Sequence, residues 1–294
     1  MDRSTRTEIH IGVGLDESYQ EHTCVMVKSL FDHTDSSKIH IHAITDQDAD
    51  LNILKELCEK NKAKFSRYHV KPSDFQNVSA MTHLSIPTYY RILLPQKISK
   101  NVNTLLYLDS DMVILENIRQ IYKERIKVIA KACYEKKDIT ILEKNIVSYF
   151  NAGVMLINCS KWRDNNLSQR ALHLTRKHSE DFPYADQDLL NYLLDGNKAE
   201  LSSKWNVKKT DYRTEKSILN DAKIIHYTGS LKPWHRLCLH PRRNIYRRYA
   251  KILGFKPVNS NPFVGLHSSL FPEYPKYVLR IILEKIGLYT YIKT

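Results

Sequence analysis

Two aspartates one residue apart, Asp109 and Asp111, are the residues best suited to bind a metal ion. They lie between two apolar stretches in the segment LLYLDSDMVIL, residues 105–115, which predicts a strand buried on both faces. Ionised carboxylates are costly to bury unless they are paired or bind a cation. In an extended chain, residues i and i+2 point to the same side about 7 Å apart, so both could bind one ion. Such oxygen ligands suit magnesium, manganese or calcium, and a polar turn between two strands is the competing interpretation.

A histidine late in the chain is a further candidate ligand. His226 ends a predicted strand, residues 222–227, and opens the segment HYTGSLKPWH, which also contains Gly229 and Lys232. A histidine at a strand end followed by glycine, serine and lysine suits a metal and a phosphate, with Lys232 as a point charge. A hydrogen-bonded core histidine is the competing interpretation.

The beginning of the chain offers side chains that could hold a nucleotide. A first strand is predicted at residues 8–13, and the segment GLDESY follows it. Gly12-Val13-Gly14 lacks the third glycine of a dinucleotide fingerprint, so neither that site nor a Walker-type phosphate loop is predicted. Asp16 could accept hydrogen bonds from a base, and Tyr19 could stack on it. A helix cap and a core aromatic residue are the alternatives.

Three later segments place polar residues among apolar ones. Arg91 in SIPTYYRILLP is expected to pair with a phosphate or with a carboxylate such as Asp109. In YFNAGVMLIN, the small pair Ala152-Gly153 would let a ligand or another backbone approach closely. The segment FPYADQDLLNYLL predicts a helix whose first residues are polar: Asp186, Gln187 and Asp188. Charge complementing a helix N-terminus is the alternative role for these residues.

The predicted elements alternate. Strands at 8–13, 39–45 and 64–70 are separated by helical patterns, which implies βαβ units and a mainly parallel sheet. Ligands bind beyond the carboxyl ends of such strands, where Asp16, Asp46 and the aspartate pair would lie. The pattern also predicts strands at 127–133 and 149–158 and helices at 117–125 and 167–178, and it does not resolve 138–147.

Composition narrows the class of protein. Of 294 residues, 42% are hydrophobic and 26% are charged, which is typical of a soluble globular protein. The five cysteines are scattered without a C-x-x-C pair, which argues against a disulfide framework or zinc site and suits a reducing cytosol. The sequence contains no secretory signal pattern and no run of 18 apolar residues, so no membrane span is predicted.

The net charge of +13 is concentrated late in the chain. No acidic residue lies between Asp221 and Glu273, an interval that contains many lysines and arginines. Such a surface could meet nucleic acid, an anionic membrane or phosphorylated ligands. Residues 275–294 form an amphipathic basic pattern rich in tyrosine, which predicts a helix at a membrane surface, and a helix docked on the core is the alternative. We expect a catalytic domain at 1–256 and a membrane-surface-associating extension at 257–294.

Taken in order, the segments DESY, SIPTYYR, LLYLDSDMVI, FNAGVMLIN-x-x-x-W, ADQDLLN and HYTGSLKPWH resemble glycosyltransferase family 8. Within it, they resemble the bacterial galactosyl- and glucosyltransferases that extend lipooligosaccharide and lipopolysaccharide cores. The resemblance covers about residues 9–235. It implies a GT-A fold, a Rossmann-like α/β architecture with a mixed, mainly parallel sheet flanked by helices. It also implies a UDP-hexose donor and a manganese ion that bridges the diphosphate.

The resemblance assigns roles to residues of this sequence. It implies that Asp109, Asp111 and His226 bind the metal, as residue type and position had suggested, and the mixed oxygen and imidazole set favours Mn²⁺ over Mg²⁺. Better-known relatives carry asparagine where Ser18 stands, which weakens one expected contact with the base. The implied donor-binding residues are Asp16, Ser18, Tyr19, Arg91, Asp109, Ser110, Asn151, Ala152, Gly229 and Lys232. The implied acceptor-side residues are His83, Tyr184 and Thr228.

The family retains the anomeric configuration of the sugar, and the implied catalytic residues are Asp186, Gln187 and Asp188. A double displacement would use Gln187 or Asp188 as the nucleophile. Front-side attack would let the leaving diphosphate accept the acceptor's proton, and it is preferred because an amide is a poor nucleophile. The expected acceptor is a glycan or glycolipid at the inner face of the cell membrane. The alternatives are a self-glycosylating starter protein of the glycogenin kind and a basic nucleic-acid-binding protein, although no recognisable reader motif for nucleic acid is present.

Overall fold

The structure is a computed structural model that describes residues 8–71, 86–135, 137–208, 216–229, 232–235, 238 and 240–255. The chain divides into two compact units, Met1–His226 and Tyr227–Thr294. The predicted extension at 257–294 lies outside the described residues. Along the ranges that are described, no helix combines the length and the apolar character needed to cross a membrane.

A sheet of seven strands forms the centre of the first unit, in the order β10-β6-β9-β4-β1-β2-β3. Its strands are parallel except β9, which runs antiparallel to both of its neighbours, β4 and β6. The prediction of a mainly parallel α/β sheet is therefore confirmed. The strands are β1 (Ile9–Gly14), β2 (Ile39–Asp46), β3 (Lys64–Val70), β4 (Thr104–Leu108), β6 (Ala130–Tyr134), β9 (Phe150–Asn158) and β10 (Lys198–Glu200).

Two short antiparallel pairs accompany this sheet. β5 (Met112–Ile114) pairs with β11 (Ile224–His226), so that His226 lies opposite Met112. β7 (Ile139–Ile141) and β8 (Lys144–Ile146) form a hairpin in the stretch that the sequence pattern left unresolved. Val207 forms a further bridge with Ile225.

Helices bury apolar residues against the sheet because their apolar side chains recur at helical spacing. Helix α1 contacts β5 and α2, and α3 contacts β1, α5 and α6. Short 3-10 turns at Glu17–Tyr19 and Ile86–Tyr89 lead into α1 and α3 respectively. The helices of the first unit are α1 (Gln20–His33), α2 (Asn52–Lys60), α3 (Tyr90–Lys97), α4 (Arg119–Tyr122), α5 (Cys159–Asp164), α6 (Leu167–His178) and α7 (Asp186–Leu193).

The segment 105–115 differs from its prediction. It is not one buried strand, because β4 ends at Leu108 and β5 begins at Met112. The two strands belong to different sheets, so the chain must turn at residues 109–111. The predicted extended conformation of the aspartate pair was wrong, because both aspartates lie in a turn between two strands, and this turn does not exclude metal binding. The helix predicted at 117–125 is also shorter, since only Arg119–Tyr122 is helical.

The second unit contains helix α8 (Arg243–Ile252), which buries Tyr246 and Tyr249. The Tyr246 ring packs edge-on against Tyr227, with ring centroids 6.0 Å apart. The Tyr227 hydroxyl donates to the carbonyl of Arg242 at 3.0 Å. These contacts join the beginning of the unit to its helix.

Candidate active site

Three side chains that the sequence predicted as metal ligands lie together. One ligand atom each from Asp109, Asp111 and His226 falls within 4.8 Å of the other two. His226 Nε2 lies 3.1 Å from Asp111 Oδ1 and 3.7 Å from Asp109 Oδ2. The turn after β4 supplies the aspartates, and β11 brings the histidine to them by pairing with β5.

Helix α1 fixes the turn that carries the aspartates. Thr23 Oγ1 donates to Ser110 Oγ at 2.8 Å, between the two carboxylates in sequence. The Ile114 backbone N–H donates to Ser29 Oγ at 2.9 Å. The hydroxyl of Ser110, a predicted donor-binding residue, therefore bonds to α1.

The orientation of His226 suits a metal ligand. Its Nδ1 lies 2.9 Å from Asn206 Oδ1, a hydrogen-bond acceptor, so Nδ1 carries a proton and Nε2 is the ring nitrogen left to face a ligand. Nε2 is the atom that faces the two carboxylates. Metal-binding histidines characteristically donate their other ring N–H to such an oxygen. Two carboxylates and one neutral imidazole form a donor set that fits Mn²⁺.

Gly153 allows the three ligands to approach the sheet. Its carbonyl accepts from the backbone N–H of Asp109 at 2.9 Å. A Cβ added to Gly153 would lie 2.4 Å from His226 Cε1 and 2.8 Å from Asp109 Oδ2. Any larger residue would therefore displace two of the three ligands. The prediction named a ligand or another backbone as the group that approaches this glycine, whereas the atoms nearest to its Cβ position belong to the side chains of His226 and Asp109.

Arg91 is buried beside the metal ligands and is paired, as predicted. Its Nη2 lies 2.9 Å from Asp109 Oδ1, and its Nε lies 2.8 Å from Asp186 Oδ2. Its Nη1 donates to the carbonyl of Ala152 at 2.7 Å. Burial alone would lower the pKa of Arg91, but Asp109 and Asp186 outweigh burial and raise it. Arg91 thus carries a permanent positive charge that links the aspartate turn to the start of α7.

Asp186 keeps one buried oxygen without a hydrogen bond. Burial raises its pKa to about 6, although Arg91 acts in the opposite direction. The Arg91 Nε–H donates to the carbonyl of Thr88 at 3.1 Å, so the contact with Asp186 Oδ2 is ionic only. Among the described residues, Asp186 Oδ2 has no hydrogen-bond donor. A buried acceptor in that state suits a hydroxyl group of a bound ligand.

A chain of hydrogen bonds connects the metal ligands to α7. Asn206 Nδ2 donates to Asn151 Oδ1 at 2.9 Å, and Asn151 Nδ2 donates to Gln187 Oε1 at 2.8 Å. Gln187 Nε2 then donates to the Tyr149 hydroxyl at 2.9 Å, which donates to Asp188 Oδ1 at 2.5 Å. This chain fixes the side-chain amide of Gln187 at both ends.

Asp188 is fully buried, and both of its oxygens accept hydrogen bonds. The second oxygen, Oδ2, accepts from the backbone N–H of Tyr184 at 2.6 Å. Burial and the bond to Asp188 together raise the pKa of Tyr149, so its hydroxyl stays protonated as a donor. Ala185, between Tyr184 and Asp186, has a φ of 45°, which is strained for a residue other than glycine. This turn sets the start of α7.

The predicted uridine-binding residues form a helix cap. Asp16 Oδ1 accepts from the Tyr19 backbone N–H at 3.0 Å and from the Ser18 hydroxyl at 2.6 Å. Tyr19 is 37% exposed, and its ring meets His22 edge-on at 5.4 Å. Asp16 therefore caps this turn and Tyr19 is not a core residue, while the predicted contacts of both with a base stay predictions.

The residues predicted to bind the acceptor and the diphosphate remain untested by this geometry. His83 lies outside the described residues. Tyr184 is 54% exposed, and Lys137 Nζ lies 4.8 Å from its ring centroid. The second unit contains the remaining three residues: Thr228, Gly229 and Lys232. The roles predicted for these residues stay predictions.

Sequence reasoning missed two residues of the site. Asn206 orients His226, and Tyr149 connects Gln187 to Asp188. Tyr149 is the first residue of the predicted strand 149–158, and Asn206 lies in none of the predicted elements, so neither position alone indicates a hydrogen-bonding role. Their partners are distant in sequence, so only the folded chain brings them together.

Comparison with known proteins identifies the family. The model of Glycosyl transferase family 8 matches residues 10–238. A lipopolysaccharide 1,2-glucosyltransferase of Escherichia coli (strain K12) is 26% identical over 260 residues, which are 81% of this chain and 76% of that protein. General stress protein A of Bacillus subtilis (strain 168) is 27% identical over 282 residues, which are 87% of this chain and 98% of that protein.

Solved structures share the fold. The galactosyltransferase LgtC, crystallised in complex with donor and acceptor sugar analogs, superposes with a TM-score of 0.73 at 24% identity. The match covers 85% of this chain and 98% of LgtC. The glycosyltransferase GlyE of Streptococcus pneumoniae superposes with a TM-score of 0.68 over 91% of this chain and 64% of GlyE. The fold is therefore GT-A, as the motifs implied, and the chain is a glycosyltransferase that belongs to glycosyl transferase family 8.

Proposed function

We propose that this protein is a retaining hexosyltransferase that moves galactose or glucose from a UDP-sugar to a glycan acceptor. One observation carries the proposal: Asp109, Asp111 and His226 Nε2 converge beside a buried arginine, Arg91. Such a site combines an acidic pocket for a divalent ion with a fixed positive charge. A nucleotide diphosphate with an attached sugar is a ligand that needs both.

Asp109, Asp111 and His226 would hold Mn²⁺, with Mg²⁺ as a weaker alternative because of the imidazole ligand. A bound divalent ion supplies positive charge that neutralises the diphosphate and the charge that develops on UDP as it leaves. Asn206 holds the proton on His226 Nδ1 and so keeps Nε2 available for binding. Gly153 leaves the space in which the ligands converge.

The donor sugar would lie against Arg91, Asp186 and Gln187. Asp186 Oδ2 is buried and has no hydrogen-bond donor among the described residues, so it can accept a hydrogen bond from a sugar hydroxyl. Arg91 holds that carboxylate in place and keeps it ionised against the effect of burial. Asn151 and Ala152 flank this position: both donate to Gln187 Oε1, from Asn151 Nδ2 at 2.8 Å and the Ala152 N–H at 3.3 Å.

We favour front-side attack for the transfer step. The acceptor hydroxyl would attack the anomeric carbon from the face that UDP leaves, and its proton would pass to the departing diphosphate oxygen. Gln187, fixed at both ends of its amide, would stabilise positive charge on the sugar ring. Asp188 is suited to a positioning role because Tyr149 and Tyr184 occupy both of its oxygens.

The uridine would bind beside Asp16 and Tyr19. Both hydrogen bonds of the Asp16 cap go to Oδ1, which leaves Oδ2 to accept from a base edge. The half-exposed Tyr19 ring offers a stacking surface. The relative from Escherichia coli is named for lipopolysaccharide, so a lipopolysaccharide-type or lipooligosaccharide-type glycan is the proposed acceptor.

The basic helix α8 supports a position at the cytoplasmic face of a membrane. It buries Tyr246 and Tyr249, and it exposes Arg248 and Lys251. Ile252, at its end, is 54% exposed. Exposed basic side chains next to an exposed apolar one favour a surface of anionic lipid.

Donor hydrolysis tests the proposal. The protein is incubated with UDP-galactose, UDP-glucose or UDP-N-acetylglucosamine, with Mn²⁺ or EDTA, and UDP release is followed. We expect metal-dependent release from one hexose donor and its loss in Asp111→Asn. Asp221→Asn, which changes an exposed aspartate shortly before β11, is the matched control and should keep full activity. No release and no metal-dependent UDP binding by the folded protein would refute the proposed function.

A further inference from the structure

Three histidines form a second cluster in the main sheet. His10 lies opposite His40 in the parallel pairing of β1 and β2, and His42 follows on the same face. One ring nitrogen from each lies within 4.8 Å of the others. His10 and His40 lie near the amino-terminal ends of their strands, whereas Asp109 follows the carboxyl end of β4. The cluster is thus separate from the proposed active site.

Hydrogen bonds orient two of these rings. His42 Nδ1 lies 3.0 Å from the Tyr68 hydroxyl, and His40 Nε2 lies 2.8 Å from Ser66 Oγ. Both oxygens belong to β3, the next strand of the sheet. The opposite nitrogens, His42 Nε2 and His40 Nδ1, are therefore the ones that face the cluster. An outer nitrogen held by an oxygen and an inner nitrogen left for a ligand is the usual arrangement of metal-binding histidines.

Distances among the three rings suit a small ion. His10 Nδ1 lies 3.0 Å from His42 Nε2, a hydrogen bond whose proton a bound ion would replace. In a tetrahedral zinc site with bonds of about 2.0–2.1 Å, neighbouring ligand atoms are about 3.3 Å apart. Glu8 lies outside the three-histidine group, with Oε2 3.7 Å from His10 Nε2 and 3.6 Å from His40 Nδ1, and contributes charge. Small rotations of the side chains would bring the three ring nitrogens to that spacing.

Charge and access also fit a cation. The ring of His42 is buried and those of His10 and His40 are half-buried, which favours the uncharged imidazole that binds a metal. Glu8 supplies a negative charge. Its other oxygen, Oε1, pairs with Lys64, a side chain that is 67% exposed and free to rotate toward solvent. His10 and His40 are partly exposed, which provides an entry path.

We propose that His10, His40 and His42 form a second metal site that binds a divalent ion of the zinc type. Imidazole nitrogens select zinc, nickel, copper and cobalt over magnesium or calcium. Three protein ligands leave the fourth position of a tetrahedral ion to water, and Glu8, just before β1, supplies a compensating negative charge. Since His10 belongs to β1 and His40 and His42 to β2, the ion would clamp the first two strands together.

Cobalt binding tests this site. Untagged protein carrying Asp111→Asn, which disables the proposed catalytic metal site, is titrated with Co²⁺ and followed by visible absorption. We expect one Co²⁺ per chain with the intense absorption of a four-coordinate site, displaced by Zn²⁺ and not by Mg²⁺. Zn²⁺ should also raise the melting temperature of this protein, because the ion binds only the folded chain.

Variants connect the signal to the cluster. His40→Gln should weaken Co²⁺ binding by at least about 10-fold, and Tyr68→Phe, which keeps the ring, should weaken it by about 10-fold. His69→Gln is the matched control, since His69 is an exposed histidine on β3 that points away from Tyr68. Absence of Co²⁺ binding in folded protein, or equal binding in His40→Gln, would overturn the proposal. Metal-dependent UDP release is measured separately, in protein that keeps Asp111, so the two proposals fail separately.

Discussion

Replacing Gly153 by alanine is expected to weaken metal binding directly, in addition to lowering the stability of the fold. The added Cβ would lie 2.4 Å from His226 Cε1 and 2.8 Å from Asp109 Oδ2. An ordinary contact between carbon atoms is about 3.5 Å, so the His226 ring must move by about 1 Å. Metal–ligand distances tolerate only about 0.2 Å. We therefore expect the Mn²⁺ affinity to fall by about 10–100-fold or more, since displaced outer partners alone cost that much.

Gly12→Ala separates this effect from simple overpacking. Gly12 also lies in a central strand, and a Cβ there would lie 2.7 Å from Leu94 Cδ2, the end of an apolar side chain. Both substitutions overpack the protein, so each should cost about 1–3 kcal/mol of unfolding free energy. Only Gly153→Ala should change the affinity for the metal, because only its Cβ meets the ligands.

Two measurements decide the outcome. The electron paramagnetic resonance signal of free Mn²⁺ gives the dissociation constant directly, and urea denaturation gives the free energy of unfolding. The reasoning would be refuted if folded Gly153→Ala bound Mn²⁺ as tightly as the unmodified protein. It would also fail if Gly12→Ala lost metal affinity to the same extent.

Two further predictions concern Arg91 and the histidine cluster. Arg91→Lys should lower kcat/KM for UDP release by about 100-fold, because lysine cannot contact Asp109 and Asp186 together, whereas Arg67→Lys on β3 should match the unmodified protein. The free energy of unfolding, measured in EDTA, should fall as the pH decreases below 6.5. The reason is that the pKa of His42 is about 3 in the folded protein, so only the unfolded chain takes up this proton between pH 6.5 and 3. This difference contributes about 1.4 kcal/mol per pH unit. Urea titrations at several pH values give the change in unfolding free energy per pH unit, which should be smaller in His42→Gln by the contribution of His42. An unchanged pH dependence in His42→Gln would show that His42 does not cause it.

The sequence identified three side chains that the fold brings together, but not the shape of the turn that carries two of them. Asp109, Asp111 and His226 could be selected because charged and imidazole side chains followed buried apolar stretches. The extended geometry assigned to the aspartates was wrong, because the pattern could not show that β4 and β5 enter different sheets. An apolar run in the sequence also does not show whether a strand runs parallel or antiparallel to its neighbours. The antiparallel orientation of β9 was therefore not predictable.

The sequence could not predict residues whose role depends on partners that are distant along the chain. Asn206 acquires its role only from the approach of His226, and Tyr149 only from α7. The segment IHIHAIT predicted β2 correctly, but its histidines form a cluster only because His10 lies in register with His40. Arg91 was different: a charged residue among apolar neighbours must find a partner, and the prediction that it is paired is confirmed.

The order of the ligands along the chain has a consequence for protein synthesis. A ribosome completes Asp109 and Asp111 long before it reaches His226, which joins them only when β11 pairs with β5. A nascent chain that contains β1 to β9 therefore has the acidic turn and Arg91 but not the imidazole. Arg91 precedes the turn in sequence, so the positive charge that pairs with Asp109 in the complete protein is already present in such a chain. A chain released before β11 is made lacks one of the three ligands, so truncated products could not acquire the complete metal centre.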